Sequence, residues 1–290
     1  MSGLEGKIEY LKRYDGRPLR LMEVCGTHTA GIFKSGIRSI LPDSIKLIAG
    51  PGCPVCVTPT TYIDKCVEYA RAPGFALVSF GDMMKVPGSE ASDVEGSAAA
   101  AWTVDGGGTK APGGNVRGLP LSLERVKGFG ARVELVYSPF DTLAMAERES
   151  DTIFVVAAVG FETTAPAYAL LIDEMVGRGV TNISLLTALK SALPAIEWVC
   201  EHSSVDGFLC PGHVSVVTGS RVYEPLAEKY GKPFVVAGFE EAHLVDAIYE
   251  LVRLASRGDG TAAGAVNDAE RKGNVSGNVA VIDTERKGNV

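Results

Sequence analysis

The sequence has little positive charge to offer a polyanion and no long hydrophobic run. Its 290 residues carry 28 Lys and Arg against 35 Asp and Glu, which gives a net charge of −7. Because nucleic-acid binding needs clustered Lys and Arg, the composition argues against a nucleic-acid partner. No apolar stretch approaches the roughly 18–20 residues of a membrane span, and the first ten residues lack a signal-peptide core. We therefore expect a cytoplasmic protein without a membrane partner.

Cysteine is also scarce, with six in the chain. That number is too small for a disulfide scaffold, and grouped cysteines in a reducing compartment are more often metal ligands or redox catalysts. Cys66 and Cys200 fall within helical patterns beside apolar residues, so we interpret both as buried core thiols. The other four thiols follow predicted strands and are Cys25, Cys53, Cys56 and Cys210.

Motifs for nucleotide binding and serine hydrolysis are missing as well. No Gly-x-Gly-x-x-Gly opens a helix after a strand, and neither a phosphate-binding P-loop nor a Gly-x-Ser-x-Gly elbow occurs. Nucleotide binding and serine-nucleophile chemistry therefore have no motif support.

What is present is a regular alternation of β-rich runs with helical patterns. Strands are predicted over 19–24, 45–49, 75–80, 132–137, 152–159, 183–189, 207–209 and 234–237. Helices are predicted over 30–40, 60–70, 121–129, 140–148, 165–178, 192–201, 220–230 and 240–255. This order is typical of parallel strands joined by right-handed helical crossovers. We predict an α/β protein with two open parallel sheets, and a barrel is the alternative.

The chain divides into three predicted regions. The first α/β domain covers 1–145 and the second covers 146–258. A Gly, Ala and Ser-rich stretch at 88–118 would make a poor crossover, which favours a mobile insertion and two sheets over a barrel. The tail at 259–290 loses the helical pattern and repeats Glu-Arg-Lys-Gly-Asn-Val, so we expect a poorly ordered appendage.

Cys25 ends the first predicted strand and opens a helix, with His28 three residues later. Backbone N–H groups and the positive helix terminus lower the pKa of a cysteine there, and such a thiolate binds soft metals or acts as a nucleophile. The alternative is a buried strand-end residue at Cys25 and a polar helix-start group at His28.

The second predicted strand is followed by Gly-Pro-Gly-Cys-Pro-Val-Cys at 50–56. The spacing of Cys53 and Cys56 suits two ligands on one metal or a dithiol that closes to a disulfide. Because the carboxyl ends of neighbouring parallel strands meet at one edge, we expect these two thiols to lie near Cys25 in a metal or redox site.

Two further strand ends carry polar groups. Cys210 and His213 follow the strand at 207–209, where a Cys-Pro-Gly-His sequence is equally typical of a tight turn. Glu162, Thr163 and Thr164 follow the apolar run at 152–159. The two hydroxyls could simply cap the next helix, but capping explains the glutamate less well.

Taken together, six motifs resemble the hydrogenase formation protein family HypD. They are Glu-Val-Cys-Gly-Thr-His at 23–28, Gly-Pro-Gly-Cys-Pro-Val-Cys at 50–56, Gly-Asp-Met-Met at 81–84, Tyr-Ser-Pro at 137–139, Gly-Phe-Glu-Thr-Thr-Ala-Pro at 160–166 and Cys-Pro-Gly-His at 210–213. The resemblance covers residues 19–254. It implies a scaffold on which the Fe(CN)2CO group of [NiFe]-hydrogenase is built with the chaperone HypC, while HypE and HypF supply cyanide.

The resemblance also implies roles for individual residues. Cys25 would ligate the iron, His28 would be a nearby polar or proton-handling group, and Cys53 with Cys56 would form a redox-active pair. A cleft between two similar α/β domains, at the carboxyl ends of their strands, would hold the remaining site. By the same resemblance, the catalytic residues would be Cys53, Cys56, His28 and Glu162. The cofactor-binding residues would be Thr27, Thr163, Thr164, Cys210 and His213.

The sequence departs from the family in one respect. Family members carry a C-terminal cysteine-rich region that holds a [4Fe-4S] cluster, and no cysteine follows His213 here. Four thiolates usually anchor such a cluster, so we do not expect this sequence to hold one, and the source of electrons for Cys53 and Cys56 stays open.

Three other interpretations remain open. The first is a thiol-disulfide oxidoreductase that uses Cys53 and Cys56 without iron. The second is a zinc protein that adds Cys25 and either His28 or His213 to these two thiols. The third is an α/β binding module whose thiols are part of the packing.

Overall fold

The structure is a computed structural model that describes residues 3–89, 120–256 and 279–281. Within these residues the chain forms two compact units. Unit 1 comprises Met1–Cys53 and Ser191–Val290, and unit 2 comprises Pro54–Lys190. Each unit contains one sheet, and every strand pairing in both sheets is parallel. The predicted α/β class with two open parallel sheets is confirmed, and the barrel alternative is wrong.

The described part of the chain contains nine strands in the order of the sequence. They are β1 (Leu19–Glu23), β2 (Ile45–Ala49), β3 (Phe75–Ser79), β4 (Val133–Leu135), β5 (Ile153–Gly160), β6 (Ile183–Leu189), β7 (Gly207–Cys210), β8 (Phe234–Val236) and β9 (Val279–Val281).

Eleven α-helices lie in the same described ranges, together with 3-10 turns at Gly81–Met83 and Ser220–Tyr223. They are α1 (Leu4–Lys12), α2 (Gly26–Lys34), α3 (Ile37–Ile40), α4 (Thr60–Arg71), α5 (Leu123–Gly128), α6 (Asp141–Arg148), α7 (Ala165–Arg178), α8 (Ala192–His202), α9 (Gly212–Thr218), α10 (Glu224–Tyr230) and α11 (Glu241–Ala255). None of the described helices is long and apolar enough to cross a bilayer.

Unit 1 is built on a sheet with strand order β2-β1-β7-β8-β9. Alternate side chains of each strand point to opposite faces, so Leu21 and Met22 enter different hydrophobic clusters. The Leu21 cluster includes residues of α1, α2, α3 and α11, and the Met22 cluster includes residues of α8 and α10. Helices therefore cover both faces, as is usual for a parallel sheet.

Unit 2 follows the same plan, with strand order β4-β3-β5-β6. Val155 of β5 packs in a cluster with α4 and α5, and its neighbour Val156 packs in a second cluster with α6 and α7. Because β5 is buried on both faces, its sequence is almost continuously apolar rather than alternating.

The two units do not follow one another along the chain as the predicted boundary at 145/146 assumed. β5 pairs with β3, so residues 146–190 join unit 2, and β7 pairs with β1, so the chain returns to unit 1. Each βα repeat looks alike in sequence, and the choice of neighbour is made by contacts between distant residues. The observed division is therefore discontinuous.

Other predicted elements match the structure closely. All eight predicted strands are present, with ends within two residues of the prediction. The helix predicted at 30–40 is instead two helices, α2 and α3, because Gly36 between them adopts a left-handed backbone with φ 67°. α1, α9 and β9 are additions to the prediction. The insertion at 88–118 lies outside the described residues except at its first two positions, and the tail is described only at β9.

Candidate functional site

Cys25 lies at the carboxyl end of β1 and is the N-cap residue of α2. Its backbone is extended (φ −158°, ψ 124°), and its carbonyl oxygen accepts hydrogen bonds from the N–H of Thr29 at 3.1 Å and from the hydroxyl of Thr29 at 3.3 Å. The side chain is buried. The N–H groups of the first helical turn have no intrahelical acceptor and point toward the end of the helix where this thiol lies.

Two glycines bring the loop after β2 against the Cys25 segment. A Cβ atom on Gly52 would lie 2.5 Å from the Cys25 nitrogen and 2.6 Å from its Cα, and one on Gly50 would lie 3.0 Å from the Glu23 carbonyl oxygen. Real Cβ atoms do not approach backbone this closely, so only glycine fits at 52. The N–H of Gly50 also donates to the Glu23 carbonyl at 2.8 Å. The residue before Cys53 therefore lies in contact with the backbone of Cys25.

The two cysteines of the Cys-x-x-Cys motif belong to different units. The division falls between Cys53 and Pro54. Cys53 is half-buried and Cys56 is exposed. Among the residues that the structure describes, no group of three or more His, Cys, Asp or Glu side chains is placed to hold a metal ion. The zinc interpretation therefore finds no assembled ligand set there.

His28 is fully buried beneath the end of β8. Its Nε2 lies 3.1 Å from the Ala237 carbonyl oxygen, which can only accept, so we assign the proton to Nε2 and a lone pair to Nδ1. Nδ1 has no hydrogen-bond partner within the described residues. Burial lowers the pKa of His28 from 6.5 to about 4, against the opposing effect of the carbonyls of Ala237 and Gly238. His28 is therefore neutral at pH 7.

Phe239 lies against both His28 and His213. The Phe239 ring centroid lies 4.7 Å from that of His28 and 4.3 Å from that of His213, with tilted planes. His28 is buried and His213 is exposed, so the phenyl ring contacts one buried and one exposed imidazole. The structure thus brings two predicted site residues to one aromatic side chain that the sequence analysis missed.

A signal for Phe239 was available in the sequence. Gly-Phe-Glu occurs twice, at 160–162 and at 238–240. The first copy lies between β5 and α7 and the second between β8 and α11. A repeated strand–Gly-Phe-Glu–helix pattern marks equivalent strand ends in the two units.

Cys210 is the last residue of β7 and is fully buried among apolar side chains. Its sulfur lies 3.9 Å from the Phe208 carbonyl oxygen, and burial raises the pKa of the thiol well above its usual range. The sulfur has no exposed surface, so this conformation gives no support to the cofactor-binding role, which stays a prediction. Cys66 and Cys200 are also buried, as predicted, and burial raises the pKa of Cys66 to about 12.

Glu23 is a second residue near the site that was not predicted as a site residue from the sequence. Its side chain is 1% exposed, and Oε1 accepts a hydrogen bond from Nη2 of Arg38 at 2.8 Å. Oε2 is buried without a hydrogen-bond partner in the described ranges. A buried carboxylate thus lies two residues before Cys25 and is tied to the start of α3. The signal was a charged residue at the last position of a strand, directly after the apolar Leu21 and Met22.

The corresponding strand end in unit 2 carries Glu162, Thr163 and Thr164 after β5. Glu162 is half-buried and Thr163 is exposed. Thr164 is the N-cap residue of α7, but its side chain makes no capping hydrogen bond, so the capping interpretation is wrong for Thr164. Its own N–H donates to the Phe161 carbonyl at 3.0 Å, and its methyl-bearing side chain packs over Gly160. Thr27, the other predicted hydroxyl, is exposed in the first turn of α2.

Comparison with known proteins identifies relatives over most of the sequence. The family described as "Hydrogenase formation hypA family" (HypD) matches residues 2–105 and 113–284. Three similar proteins are each named hydrogenase maturation factor HypD. That of Rhodobacter capsulatus is 36% identical over 83% of this chain, that of Azotobacter vinelandii 38% over 83%, and that of Escherichia coli K12 36% over 86%. The chain spans 57–60% of the length of these three relatives.

Proposed function

The chain belongs to the HypD family, and from this premise we propose that it acts in the maturation of [NiFe]-hydrogenase, as a scaffold for assembly of the Fe(CN)2CO group. The observation that carries the proposal is the contact of Gly52 with the backbone of Cys25. It joins the segment of the proposed iron ligand to the segment that begins the dithiol motif.

In this proposal the iron group is the cargo, and the Cys25 thiolate is its protein ligand. Thiolates are soft donors that suit low-valent iron carrying strong-field diatomic ligands. The lone pair on Nδ1 of His28 would accept a hydrogen bond, since the Ala237 carbonyl holds the proton on Nε2. The ring of Phe239 packs against the imidazole, with centroids 4.7 Å apart.

The partners follow from the family. HypC would share the iron group with Cys25, and HypE with HypF would supply the cyanide ligands. Glu162, Thr163 and Thr164 in unit 2, and His213 in unit 1, are proposed to contact the cargo or its ligands.

Cys53 and Cys56 are proposed to be a redox-active pair. Closing their disulfide releases two electrons and two protons, which assembly of the iron group would consume. The exposure of Cys56 supports such a role because thiol exchange requires access to the sulfur.

The [4Fe-4S] cluster of the family does not fit the residues of this sequence. No cysteine follows Cys210, and the described residues contain no group of three or more metal-binding side chains. Cubane clusters are usually held by four thiolates. The proposed steps therefore use no thiols other than those of Cys25, Cys53 and Cys56.

A second candidate function is thiol-disulfide exchange on a protein or small-molecule disulfide. The exposed Cys56 beside the half-buried Cys53 favours it. This candidate predicts exchange activity in protein that holds no iron.

The test is anaerobic purification of the full chain together with HypC, followed by infrared spectroscopy and measurement of iron and zinc. We expect CN and CO stretching bands with bound iron for the wild type, and loss of both in Cys25→Ala. Cys200→Ala is the matched control, because it removes another buried thiol of unit 1 and should keep both signals. Unchanged iron in Cys25→Ala, or zinc in place of iron in the wild type, would contradict the proposal.

A further inference from the structure

Unit 2 begins and ends at two points where the chain passes to or from unit 1. Within unit 2 one set of polar contacts joins its first residue to its last. The first passage is between Cys53 and Pro54, and the second is between Lys190 and Ser191. Pro54 and Lys190 are thus the first and last residues of unit 2. They are separated by 136 positions in sequence, so any link between them fixes both ends of the unit at once.

A chain of two hydrogen bonds makes that link, and a third fixes its lysine end. The Lys190 ammonium donates to the Thr58 hydroxyl oxygen at 3.0 Å and to the Ala188 carbonyl oxygen at 2.8 Å. The Thr58 hydroxyl in turn donates to the Pro54 carbonyl oxygen at 2.7 Å. Lys190 thereby reaches the first residue of the unit through Thr58.

The backbone on both sides of this contact is fixed as well. The N–H of Thr58 donates to the Val55 carbonyl at 3.1 Å, which closes the turn that carries Cys56. The N–H of Lys190 donates to the Gly160 carbonyl at 2.9 Å, which anchors the lysine beside the end of β5. The turn of the Cys-x-x-Cys motif is therefore held to the carboxyl edge of the sheet by Lys190.

Lys190 donates to neutral oxygens and not to a carboxylate. Its acceptors are the Thr58 hydroxyl and the Ala188 carbonyl, whereas Lys65, for example, pairs with the carboxylate of Glu68. The partial burial of Lys190 lowers the pKa of its ammonium without a carboxylate to offset the effect. Thr58 is also buried, so removing either side chain takes one hydrogen-bond partner from the other.

We propose that Lys190, acting through Thr58, is the positioning residue of the Cys53–Cys56 turn and sets the rate at which this dithiol exchanges with a disulfide. The inference rests on the redox role proposed for the two cysteines. Loss of the ammonium leaves the Thr58 hydroxyl without the group that fixes its position, and loss of the hydroxyl frees the Pro54 carbonyl. In either case Cys56 spends less time in the geometry that attack on a disulfide requires.

The test is oxidation of the reduced full chain by glutathione disulfide. A bond forms between the sulfurs of Cys53 and Cys56, the disulfide of glutathione breaks, and two glutathione thiols leave with the two electrons and two protons. Trypsin cuts after Lys46 and Lys65, so the peptide 47–65 contains these two cysteines and no other. Its oxidised fraction, measured by mass spectrometry against time, gives the rate.

We expect Lys190→Met and Thr58→Val each to slow oxidation about tenfold. Thr58→Ser keeps the hydroxyl and should retain the wild-type rate. Lys85→Met, a change of an exposed lysine in the same unit, is the control and should leave the rate unaltered. The double variant of Lys190→Met with Thr58→Val should match either single variant, because both break one chain of hydrogen bonds.

The outcomes separate this inference from the proposed function. If Lys190→Met does not fold, the test is the difference in oxidation rate between Thr58→Val, which loses the hydroxyl, and Thr58→Ser, which keeps it. The positioning role is overturned if the wild type and Thr58→Val are oxidised at equal rates. It is also overturned if the double variant is slowed by the product of the two single effects. Neither result contradicts the dithiol role. A wild-type dithiol that never oxidises overturns both. Faster amide exchange at Thr58 in Lys190→Met supports the loss of the turn.

Discussion

The carboxyl edge of the unit 1 sheet is closed by backbone contacts and aromatic rings, whereas that of unit 2 is held by polar side chains. In unit 1 Gly52 lies against Cys25, and Phe239 packs against two imidazoles. In unit 2 Lys190 and Thr58 hold the loop instead. All four histidines of the sequence lie in unit 1. The same order of strand, Gly-Phe-Glu and helix thus supports two chemically different edges.

The difference indicates a division of labour. A closed edge with a buried thiol and a neutral imidazole suits retention of a cargo, because water and competing ligands are excluded. A polar edge beside an exposed thiol suits exchange with external reactants. Four predictions test whether the contrast between the edges is real.

The largest expected effect concerns thiol reactivity. Alkylation requires an accessible thiolate, and Cys56 is exposed while Cys210 is fully buried with a pKa raised by burial. We expect iodoacetamide to modify Cys56 about a thousandfold faster than Cys210 in the native protein. Peptide mass spectrometry measures both rates, and denaturant should remove most of the difference. Similar native rates would show that the unit 1 edge opens readily.

The second prediction concerns the glycine contact at Cys25. Gly52→Ala places a methyl group against the backbone of Cys25, which cannot move aside as a flexible side chain does. We expect the free energy of unfolding to fall by about 3 kcal/mol. In unit 2 a Cβ on Gly81 would meet nothing within 4 Å, so Gly81→Ala is the control and should change stability little. Denaturant titration measures both, and equal effects would remove the contrast.

The third prediction is a pH dependence that belongs to unit 1. The pKa of His28 is about 4 in the folded protein and 6.5 in the unfolded chain. Between these values the unfolded chain binds a proton that the folded state does not, so stability falls as the pH is lowered from 6.5 toward 4. We expect His28 to account for about 2 kcal/mol of the loss between pH 7 and pH 4.5.

His28→Gln tests this, because it removes the titrating group. Its unfolding free energy should fall less steeply over that pH range than that of the wild type, whatever its stability at pH 7. Parallel pH curves for the two proteins would show that His28 is not held neutral.

The smallest predicted effect concerns ion pairs. Arg38→Ala leaves the buried carboxylate of Glu23 without its cation and should destabilise the protein by about 1–2 kcal/mol, since Arg38 itself is partly exposed. Arg178 of unit 2 pairs with Glu174 on the surface, and Arg178→Ala should cost less than about 0.5 kcal/mol. Chemical denaturation of both variants gives the comparison, and a smaller loss for Arg38→Ala would reverse it.

Much of the local structure could be predicted from the sequence because it depends on local pattern. The run at 183–189 is strand β6 and that at 165–178 is helix α7, both with the predicted ends. The position of Cys25 between a strand and a helix was predicted in the same way. Helix α2 was predicted to begin four residues late, because Gly26 and Thr27 have weak helix propensity and the helix is stabilised by packing of Ile32.

The contacts that define the site could not be predicted in this way. Phe239 lies 211 positions from His28 in the sequence, and Thr58 lies 132 positions from Lys190. No local pattern specifies which of eight similar βα repeats will become neighbours. The charge of Glu23 at the end of a predicted strand was visible, but its pairing with Arg38 depends on the turn at Gly36.

By itself the sequence determined the alternation of strands and helices, the α/β class, and the placing of the reactive side chains at strand ends. These features follow from hydrophobic periodicity and turn residues that act over a few positions. Only the tertiary structure decided that β5 joins β3, that β7 joins β1, and that the unit boundary falls inside the Cys-x-x-Cys motif. Strand pairing is set by burial of whole faces against distant helices, and that free energy is a property of the folded chain.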